Sequence, residues 1–491
     1  MSNAAGELAG LVDARGWSQR PAFHTDGRTY RHGEVHDLAA RLAGGLAARG
    51  VRPGDRVYLA LPDGIDWVVT FLAVARLGAI AVLVNPELPD IDHKALIADS
   101  TPVYGVTPPA LEALFPVDRW SGPDGLPSLA IDAPPAPVHS VAGDAPLYVQ
   151  YTSGTTGRPK GVVHRHSDLE VYADAVATEV LGVGPNDVIF SVSRLFYAYG
   201  FGNALVFPLF TGSSAVLTPD RPSADAVGEL VATHRVTVLY AVPSAYAGLL
   251  AAARPEQFGS LRMAISAGEA LPGPLVERLP ALLGAPVLEQ IGSTEAGHAF
   301  CANSLARNVP GSIGRPVPGY LLAVRAADGS PVPDGAEGEL WVHGPTLLLE
   351  YLNQPAETAR TLVDGWLATR DRVRRDAEGS YWHTGRVDDL EMVGGITVSP
   401  VEIEEVLAGH RAVREAAVAA VLDERGASRL RAFVVPAAPI TDPAGLAAEL
   451  TGLVRQSLAA FKVPRSVEVV ASLPRTASGK LRRHVVRRGG W

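Results

Sequence analysis

The segment YTSGTTGRPKGVVH, residues 151–164, combines side chains and glycines that suit a polyphosphate. Ser153, Thr155 and Thr156 offer hydroxyl groups, and the glycines between and beside them let the backbone approach an anion closely. Lys160 adds a cation. Because the order G-x-x-x-x-G-K-[ST] is absent, this is not a Walker A loop. The residues alone leave a second interpretation open, which is an ordinary polar turn between a strand and a helix.

Six segments together resemble the adenylate-forming superfamily, which includes acyl- and aryl-CoA synthetases, peptide-synthetase adenylation domains and luciferases. They are YTSGTTGRPKGVVH, SAGEALP (266–272), IGSTEAGHAF (291–300), GELWVHGP (338–345), GWLATRDRVRRDAEGSYWHTGRVDD (365–389) and LPRTASGKLRR (473–483). The resemblance covers nearly the whole chain. SAGEALP and RLFYAYGFGNAL (194–205) look most like benzoate-CoA ligases. The resemblance implies that ATP activates an aromatic carboxylic acid to an acyl-adenylate, which then forms a thioester.

The resemblance also implies the groups that act during adenylation, when charge at the α-phosphate must be met by preorganised cations and donors. Lys480, in TASGK, matches the lysine that bridges the acid and the α-phosphate. Glu295 matches the Mg²⁺ ligand and Thr294 a phosphate contact. One carboxylate plus phosphate oxygens is a donor set that suits this hard cation. For Lys480 the alternative is a solvated lysine in a basic tail.

A nucleotide site is implied by the same segments. Asp371 would hold the ribose hydroxyls with support from Arg386, although arginine replaces the usual glycine of T-G-D at position 370. Glu289 would meet the adenine amine, and residues 267–269 would form a flat slot for the ring. The full set expected to bind ATP or AMP is Thr152, Ser153, Gly154, Thr155, Thr156, Gly157, Lys160, Ala267, Gly268, Glu269, Glu289, Ser293, Asp371 and Arg386.

By position, six residues should surround the aromatic ring of the acid: Ala198, Tyr199, Gly200, Gly292, His298 and Ala299. Tyr199 offers a flat wall, and His298 a donor toward the carboxylate or a ring substituent. The alternative for His298 is a core histidine satisfied by the backbone. Benzoate-type relatives often have larger apolar residues at positions 296, 297 and 299. Because smaller side chains enlarge a pocket, we expect a hydroxylated, substituted or vinylogous aryl acid larger than benzoate.

Thioester formation is implied to involve a mobile C-terminal domain. Asp388 occupies the hinge position, and Gly394 and Gly395 would line a pantetheine tunnel, although two adjacent glycines also suit an ordinary tight turn. A lysine common in relatives is replaced by Met392. We expect an N-terminal adenylation domain at 1–385, a hinge at 386–389 and a lid at 390–491.

CoA is the first choice of thiol acceptor. The alternative is a standalone ligase that loads the phosphopantetheine of a carrier protein in trans. A basic, exposed patch at Arg482, Arg483, Arg487 and Arg488 would suit either acceptor. A protein of another class, a silent adenylate-binding or interaction protein, would keep the same fold without activity. The presence of Lys480, Glu295 and Asp371 argues against this last alternative.

The elements that must position these residues follow an α/β rhythm. Helical patterns alternate with strand-like runs such as VIFSVS and RMAISAG, which favours parallel sheets with crossover connections. From position 311 the texture indicates a small antiparallel barrel-like part, and the last hundred residues a compact α+β unit. The apolar stretch 67–84 indicates a buried helix to about Leu77 and then a strand, with a membrane span as the weaker alternative. Residues 116–146, rich in proline, indicate an irregular surface connection.

Composition excludes several function classes. The 491 residues carry a net charge of −9, which argues against general binding to nucleic acid or an anionic membrane. A single cysteine, Cys301, cannot form an intrachain disulfide or a cysteine-rich zinc site. The first residues lack a secretory signal, so we expect a cytoplasmic enzyme, and a homodimer is left open.

Overall fold

The computed structural model describes residues 3–131, 133–152, 159–389, 391–393, 396–422, 428–476, 480–489 and 491. A large N-terminal body contains three sheets, and a smaller α+β domain follows it. This arrangement confirms the α/β class expected from the alternation of helical and strand-like patterns.

The strands are short, and most of those in the N-terminal body are apolar and buried. In chain order they are β1 Pro21–Thr25, β2 Arg28–Arg31, β3 Arg56–Leu59, β4 Ile80–Leu83, β5 Tyr104–Val106, β6 Trp120–Ser121, β7 Pro146–Thr152, β8 Lys160–Arg165, β9 Val188–Ser191, β10 Ser214–Val216, β11 Val238–Ala241, β12 Met263–Ser266, β13 Val287–Gly292, β14 Ala299–Ala302, β15 Arg315–Pro316, β16 Leu321–Arg325, β17 Glu337–His343, β18 Glu350–Tyr351, β19 Leu362–Val363, β20 Trp366–Arg375, β21 Tyr381–Arg386, β22 Glu391–Val393, β23 Ile396–Val398, β24 Val413–Leu422, β25 Ser428–Pro436 and β26 Ser466–Val469.

The α-helices cover the sheets. They are α1 Ala4–Arg15, α2 His32–Ala48, α3 Ile65–Arg76, α4 Asp90–Ser100, α5 Leu126–Ile131, α6 Asp168–Tyr172, α7 Ala198–Phe201, α8 Phe207–Thr211, α9 Ala224–His234, α10 Pro243–Ala252, α11 Gly273–Leu283, α12 Pro355–Thr361, α13 Pro400–Ala408, α14 Pro443–Ser457 and α15 Arg483–Val486. Helix α6 continues into a π-helical segment, Ala173–Val180, and α7 into another, Gly202–Val206.

Two sheets have parallel centres. One has the order β15-β14-β13-β12-β11-β9-β10-β1-β2, in which the six strands from β13 to β1 run parallel. The other has the order β18-β8-β7-β4-β3-β5-β6, in which β7 through β6 run parallel. Strands β11 and β12 are buried at every residue, as expected where helices cover both faces of a parallel sheet.

The remaining sheets are smaller. Strands β16, β17, β20, β19 and β21 form an antiparallel sheet, which confirms the change of texture after position 311. The C-terminal domain contains the β22-β23 pair and the three-stranded sheet β24-β25-β26, with α13 and α14 packed beside it. This is the compact α+β unit that the sequence indicates.

The apolar stretch from Trp67 to Val84 is a buried helix followed by a strand, as predicted. Residues 67–75 of α3 are all buried, and Gly78, with φ of +67°, turns the chain toward β4. Within the part of the chain that the structure describes, no helix has both the length and the apolar character needed to cross a bilayer.

The irregular connection predicted for residues 116–146 is partly wrong, because it contains β6 and α5. Helix α5 and the residues after it pack against α2 at Gly44 and Gly45. A β-carbon at either glycine would overlap the carbonyl oxygen of Pro134 or Leu129. These two glycines let the chain pack closely on a helix face, and the local sequence of the connection carries no signal of that packing.

Candidate active site

Two predicted motifs begin at the same edge of the large parallel sheet. SAGE follows β12 and the G-x-T-E element follows β13, and these strands are parallel neighbours with Ser266 opposite Glu289. The carboxyl ends of parallel strands meet at one edge, which is where open α/β sheets bind ligands. The topology therefore brings the expected adenine and phosphate contacts together.

Glu289 shapes the expected adenine slot. Its Oε1 accepts the Gly311 N–H at 2.9 Å and its Oε2 the Leu271 N–H at 3.3 Å. Burial raises the pKa of this carboxyl to about 7, although these two hydrogen bonds oppose the shift. The side chain thus joins the two loops that flank the slot. Each carboxylate oxygen can accept a further hydrogen bond, so the site fits a ligand amine.

The backbone of Gly268 forms another part of the slot. Its φ is +96°, a left-handed conformation that favours glycine. A β-carbon at this position would lie 3.4 Å from Val242 Cγ1 and 3.7 Å from Lys480 Cε. The neighbouring Ala267 is buried. Small residues here leave room for a flat ring beside the strand end.

The G-x-T-E element forms a tight turn after β13. Ser293 begins the 3₁₀ turn Thr294–Ala296, and its Oγ accepts the Ala296 N–H at 3.3 Å. Tyr351 donates to Glu295 Oε1 at 2.8 Å. None of the described residues donates to Glu295 Oε2. A half-buried carboxylate with one oxygen available fits the donor set of a phosphate-bound Mg²⁺.

His164 supports this turn, which sequence reasoning missed. Its Nε2 lies 2.7 Å from the carbonyl oxygen of Thr294, and its Nδ1 lies 3.0 Å from Asp168 Oδ2. The ring stacks on Tyr148 with 5.0 Å between centroids. The only signal in the sequence is that His164 and His166 form an H-x-H pattern directly after the phosphate loop. In the structure, His164 holds the turn in position through these two contacts.

The expected ribose contacts lie on neighbouring strands. Asp371 on β20 is the register partner of Arg386 on β21, and Arg386 Nη1 donates to Asp371 Oδ1 at 2.9 Å. His383 Nε2 lies 3.3 Å from the same oxygen. Burial opposes ionisation of Asp371, but Arg386, His383 and Lys480 outweigh it and lower its pKa. None of the described residues donates to Oδ2, so an ionised acceptor is available for a hydroxyl.

The arginine that replaces the glycine of T-G-D keeps a backbone conformation typical of glycine. Arg370 has a φ of +65°, in the left-handed region that glycine adopts without cost. Its side chain is exposed, and Thr369 Oγ1 accepts the Asp371 N–H at 3.1 Å. The turn that presents Asp371 is therefore kept despite the arginine. Nothing in the structure explains what the arginine contributes.

The phosphate loop is described only at its two ends. Thr152 ends β7 and Lys160 begins β8, and the two residues are register partners in this hairpin. Lys160 forms an ion pair with Glu357, and its Nζ lies 5.2 Å from the centroid of the Tyr351 ring. Ser153, Gly154, Thr155, Thr156 and Gly157 lie outside the described residues, so their assignment stays a prediction.

The expected acyl pocket is built from aromatic rings and small residues. The Tyr199 ring lies nearly parallel to the His298 ring, with 6.1 Å between centroids, and its hydroxyl donates to the Ile265 carbonyl at 3.1 Å. A β-carbon at Gly200 would overlap the backbone of Arg194, and one at Gly292 would overlap that of His298. Ala198 begins α7, and Ala299 is buried at the start of β14.

His298 is a buried, neutral acceptor. Burial lowers its pKa to about 3. Nε2 lies 3.0 Å from Asn203 Oδ1, so with the Asn203 amide in this orientation Nε2 carries the proton. Nδ1 is buried and has no hydrogen-bond partner among the described residues. The ring therefore offers an unpaired acceptor, whereas the sequence suggested a donor.

Asp63 is a second residue that sequence reasoning missed. Both of its carboxylate oxygens accept the Leu195 N–H, at 3.1 and 3.2 Å, and Arg194 Nε lies 3.5 Å from Oδ2. Burial raises its pKa to about 7 although Arg194 opposes the shift. This carboxyl anchors the segment that leads into α7 and thereby holds one wall of the acyl pocket.

The C-terminal domain places Lys480 beside residues of the expected nucleotide site. Thr476 and Lys480 exchange two hydrogen bonds, from Thr476 N–H to the Lys480 carbonyl at 2.8 Å and from Lys480 N–H to Thr476 Oγ1 at 3.0 Å. The side chain extends beside Gly268 and contributes to the lowered pKa of Asp371. Among the described residues it forms no ion pair, so its charge is available to a ligand.

The predicted hinge residue lies among the described residues, but the predicted thiol tunnel does not. Asp388 lies in the 3₁₀ turn Val387–Asp389, while Gly394 and Gly395 lie outside the described residues.

The prediction of an exposed arginine patch is wrong for two of its four members. Arg483 pairs with Glu404 at 2.7 Å and Asp389 at 3.1 Å, and Arg487 pairs with Glu391 at 2.8 Å. Only Arg482 and Arg488 are exposed.

Comparison with known proteins gives the family. The model of AMP-binding enzymes matches residues 12–352, and that of the AMP-binding enzyme C-terminal domain matches residues 402–480. The chain belongs to the AMP-binding enzyme family. Together with the relatives below, this confirms the expected adenylate-forming enzyme close to benzoate-CoA ligases.

Two curated relatives and two solved structures resemble nearly all of this chain. The p-hydroxybenzoic acid–AMP ligase FadD22 of Mycobacterium tuberculosis H37Rv is 41% identical over 99% of this chain and 69% of its own length. The benzoate–CoA ligase of Thauera aromatica is 36% identical over 99% and 95%. A benzoate CoA ligase structure from Burkholderia xenovorans LB400 has a TM-score of 0.92, 35% identity and coverage of 99% and 100%. The anthranilate CoA ligase AuaEII with anthranoyl-AMP has a TM-score of 0.93, 32% identity and coverage of 99% and 96%.

Proposed function

We propose that this enzyme uses ATP and Mg²⁺ to convert a hydroxylated aromatic carboxylic acid to an acyl-adenylate, and then transfers the acyl group to the thiol of CoA. The observation that carries the proposal is the position of Lys480. Its Cε would lie 3.7 Å from a β-carbon at Gly268, and its charge lowers the pKa of Asp371. A cation at the nucleotide site is what attack of a carboxylate on the α-phosphate requires.

The remaining site residues would serve binding. Asp371 would hold the ribose, Glu289 the adenine amine and Glu295 the Mg²⁺. Magnesium would neutralise phosphate charge while the acid attacks and pyrophosphate leaves. Thr294 and Ser293, beside Glu295, would contact the phosphates, together with the loop that begins at Thr152.

A hydroxylated acid is favoured by the wall of the acyl pocket. His298 Nδ1 is a buried acceptor without a partner, and a ring hydroxyl could donate to it. Ala296, Gly297 and Ala299 are buried and small, and smaller side chains would enlarge a pocket for a ring substituent. The similarity to a p-hydroxybenzoic acid–AMP ligase supports the same class of acid.

We expect 4-hydroxybenzoate to support acid-dependent exchange of labelled pyrophosphate into ATP with at least about tenfold higher kcat/KM than benzoate. An unpaired buried acceptor costs about 1–3 kcal/mol, which corresponds to roughly 5- to 150-fold. The assay would compare benzoate, the three hydroxybenzoates, cinnamates and medium-chain fatty acids. Preference for benzoate would disprove the hydroxyl assignment. Absence of exchange with every acid would disprove the proposed activity.

A carrier protein is the second candidate acceptor. The mycobacterial relatives are named for the AMP product, whereas the Thauera relative is named for CoA. With the preferred acid, we expect thioester formation with CoA at a rate comparable to that of adenylation. Incubation with a phosphopantetheinylated carrier protein, in place of CoA, is the matched reaction. Thioester on the carrier but not on CoA would favour the alternative acceptor.

We place the boundary between the body and the lid within residues 386–389. Arg386 is tied to Asp371 in the body, and the Asp389 carboxylate is tied to Arg483 in the C-terminal domain. These contacts support a pivot at Val387 and Asp388, which lie between the two anchored residues.

A further inference from the structure

The carboxylate of Glu269 reaches across to the C-terminal domain. Its Oε1 accepts the Leu481 N–H at 2.8 Å, and its Oε2 lies 3.5 Å from Arg475 Nη1. The side chains of Glu269 and Arg475 are each 26% exposed. The sequence assigned Glu269 to the adenine slot. In the structure its carboxylate contacts the residue that directly follows Lys480.

The described ends of the segment that Glu269 contacts are joined to each other. Arg475 and Leu481 form an antiparallel bridge, and the Thr476 and Lys480 backbones are hydrogen bonded within it. Arg475 Nη2 is also 2.7 Å from Glu415 Oε2 on β24, so this arginine is anchored within its own domain. Glu269, in the N-terminal body, holds both the Leu481 N–H and Arg475. These two contacts therefore fix the backbone position of Lys480, which lies between them in sequence.

We propose that Glu269 is a positioning residue that holds the loop carrying Lys480 over the nucleotide site during adenylation. The inference rests on the proposed function, in which Lys480 acts during that step. A misplacement of about 1 Å in a reacting group can lower the rate by about 10²-fold. Loss of a contact one residue from Lys480 can therefore slow adenylation. Glu269 does not itself touch the reacting atoms in this assignment.

The proposal distinguishes two roles for the same residue. If the carboxylate served the adenine slot, its removal would raise KM for ATP. If it positions Lys480, its removal lowers kcat for adenylation and changes KM for ATP little, because Gly268, Glu289 and Asp371 remain. The second half-reaction, started from supplied acyl-adenylate, does not need Lys480 and should be unaffected.

The experiment compares Glu269→Ala, Glu269→Gln and the control Glu277→Ala in both half-reactions. Glu277 lies on α11 and is exposed, so its loss should change neither rate. We expect Glu269→Ala to lower kcat for pyrophosphate exchange by about tenfold or more, with KM for ATP within about threefold. Thioester formation from supplied acyl-adenylate should stay within about twofold of the unmodified enzyme. Glu269→Gln should lie between, because its amide oxygen still accepts the Leu481 N–H while the ion pair with Arg475 is lost.

Three results would overturn the proposal. Unchanged exchange in Glu269→Ala would remove any positioning role, and an equal loss in both half-reactions would indicate general structural damage. A large rise in KM for ATP with normal kcat would return Glu269 to the adenine slot. Failure of the proposed function is separate from all three, because the unmodified enzyme would then support no exchange with any acid.

Discussion

Lys480→Ala is expected to lower the rate of acid-dependent pyrophosphate exchange by about 10²-fold or more, as for removal of one preorganised charge partner. The physical reason is that the Lys480 side chain lies beside Gly268, its charge lowers the pKa of Asp371, and it forms no ion pair among the described residues. Charge accumulating between the acid and the α-phosphate would lose its nearest cation. ATP binding should weaken far less, because Asp371, Glu289 and Glu295 remain in place.

The chain offers a matched control for this substitution. Lys462, one of only four lysines, also lies in the C-terminal domain, where it pairs with Glu402. A partly exposed pair of this kind contributes about 0–1 kcal/mol, so Lys462→Ala should leave exchange nearly unchanged. ATP affinity measured by calorimetry would separate binding from chemistry. An unchanged exchange rate in Lys480→Ala would show that the residue is wrongly assigned.

Glu295→Gln is expected to lower pyrophosphate exchange by about 10²-fold at ordinary Mg²⁺ concentration, because loss of the carboxylate charge weakens the metal that stabilises the phosphates. An amide oxygen can still ligate Mg²⁺, although without the charge. Raising the Mg²⁺ concentration should therefore recover part of the activity. The measurement is the exchange rate as a function of Mg²⁺ in the variant and the unmodified enzyme.

Tyr351→Phe is the control for the geometry of this site. It removes the 2.8 Å hydrogen bond to Glu295 Oε1 but keeps the carboxylate. The expected loss is within about tenfold, in line with a single hydrogen bond worth about 1 kcal/mol. If Tyr351→Phe lowered pyrophosphate exchange as much as Glu295→Gln, Glu295 would have a structural role rather than a role as metal ligand. If Glu295→Gln kept full activity at every Mg²⁺ concentration, Glu295 would not be the metal ligand.

The positions of several candidate residues followed from short segments of sequence. SAGE and G-x-T-E each follow an apolar strand-like run, and parallel strands with crossover helices end at the same edge of a sheet. The alternation of elements predicted parallel sheets with crossover connections, and in the structure the two segments meet at the ends of β12 and β13. Likewise, the change of texture after position 311 predicted the antiparallel sheet that carries Asp371 and Arg386. Each of these signals is local in the chain.

Other features depend on residues that are far apart in sequence. Asp63 and Leu195 are separated by 132 positions, His164 and Thr294 by 130, and Glu269 and Leu481 by 212. No periodicity or motif marks such a pair, because the contact exists only once the sheets and the C-terminal domain are packed. The paired state of Arg483 and Arg487 has the same origin, since their acidic partners come from other elements of that domain.

The sequence by itself therefore determined the family, the α/β class and the residues expected to handle ATP and the acid, because ordered motifs and strand-helix alternation are properties of short segments. Only the tertiary structure decided which of those side chains keep an unpaired polar atom among the described residues and which are paired within the protein. It made His298 a buried neutral ring, because burial disfavours the charged form and Nε2 is hydrogen bonded to Asn203. It also joined the Glu269 carboxylate to the backbone beside Lys480, because packing of the C-terminal domain supplies the donors there.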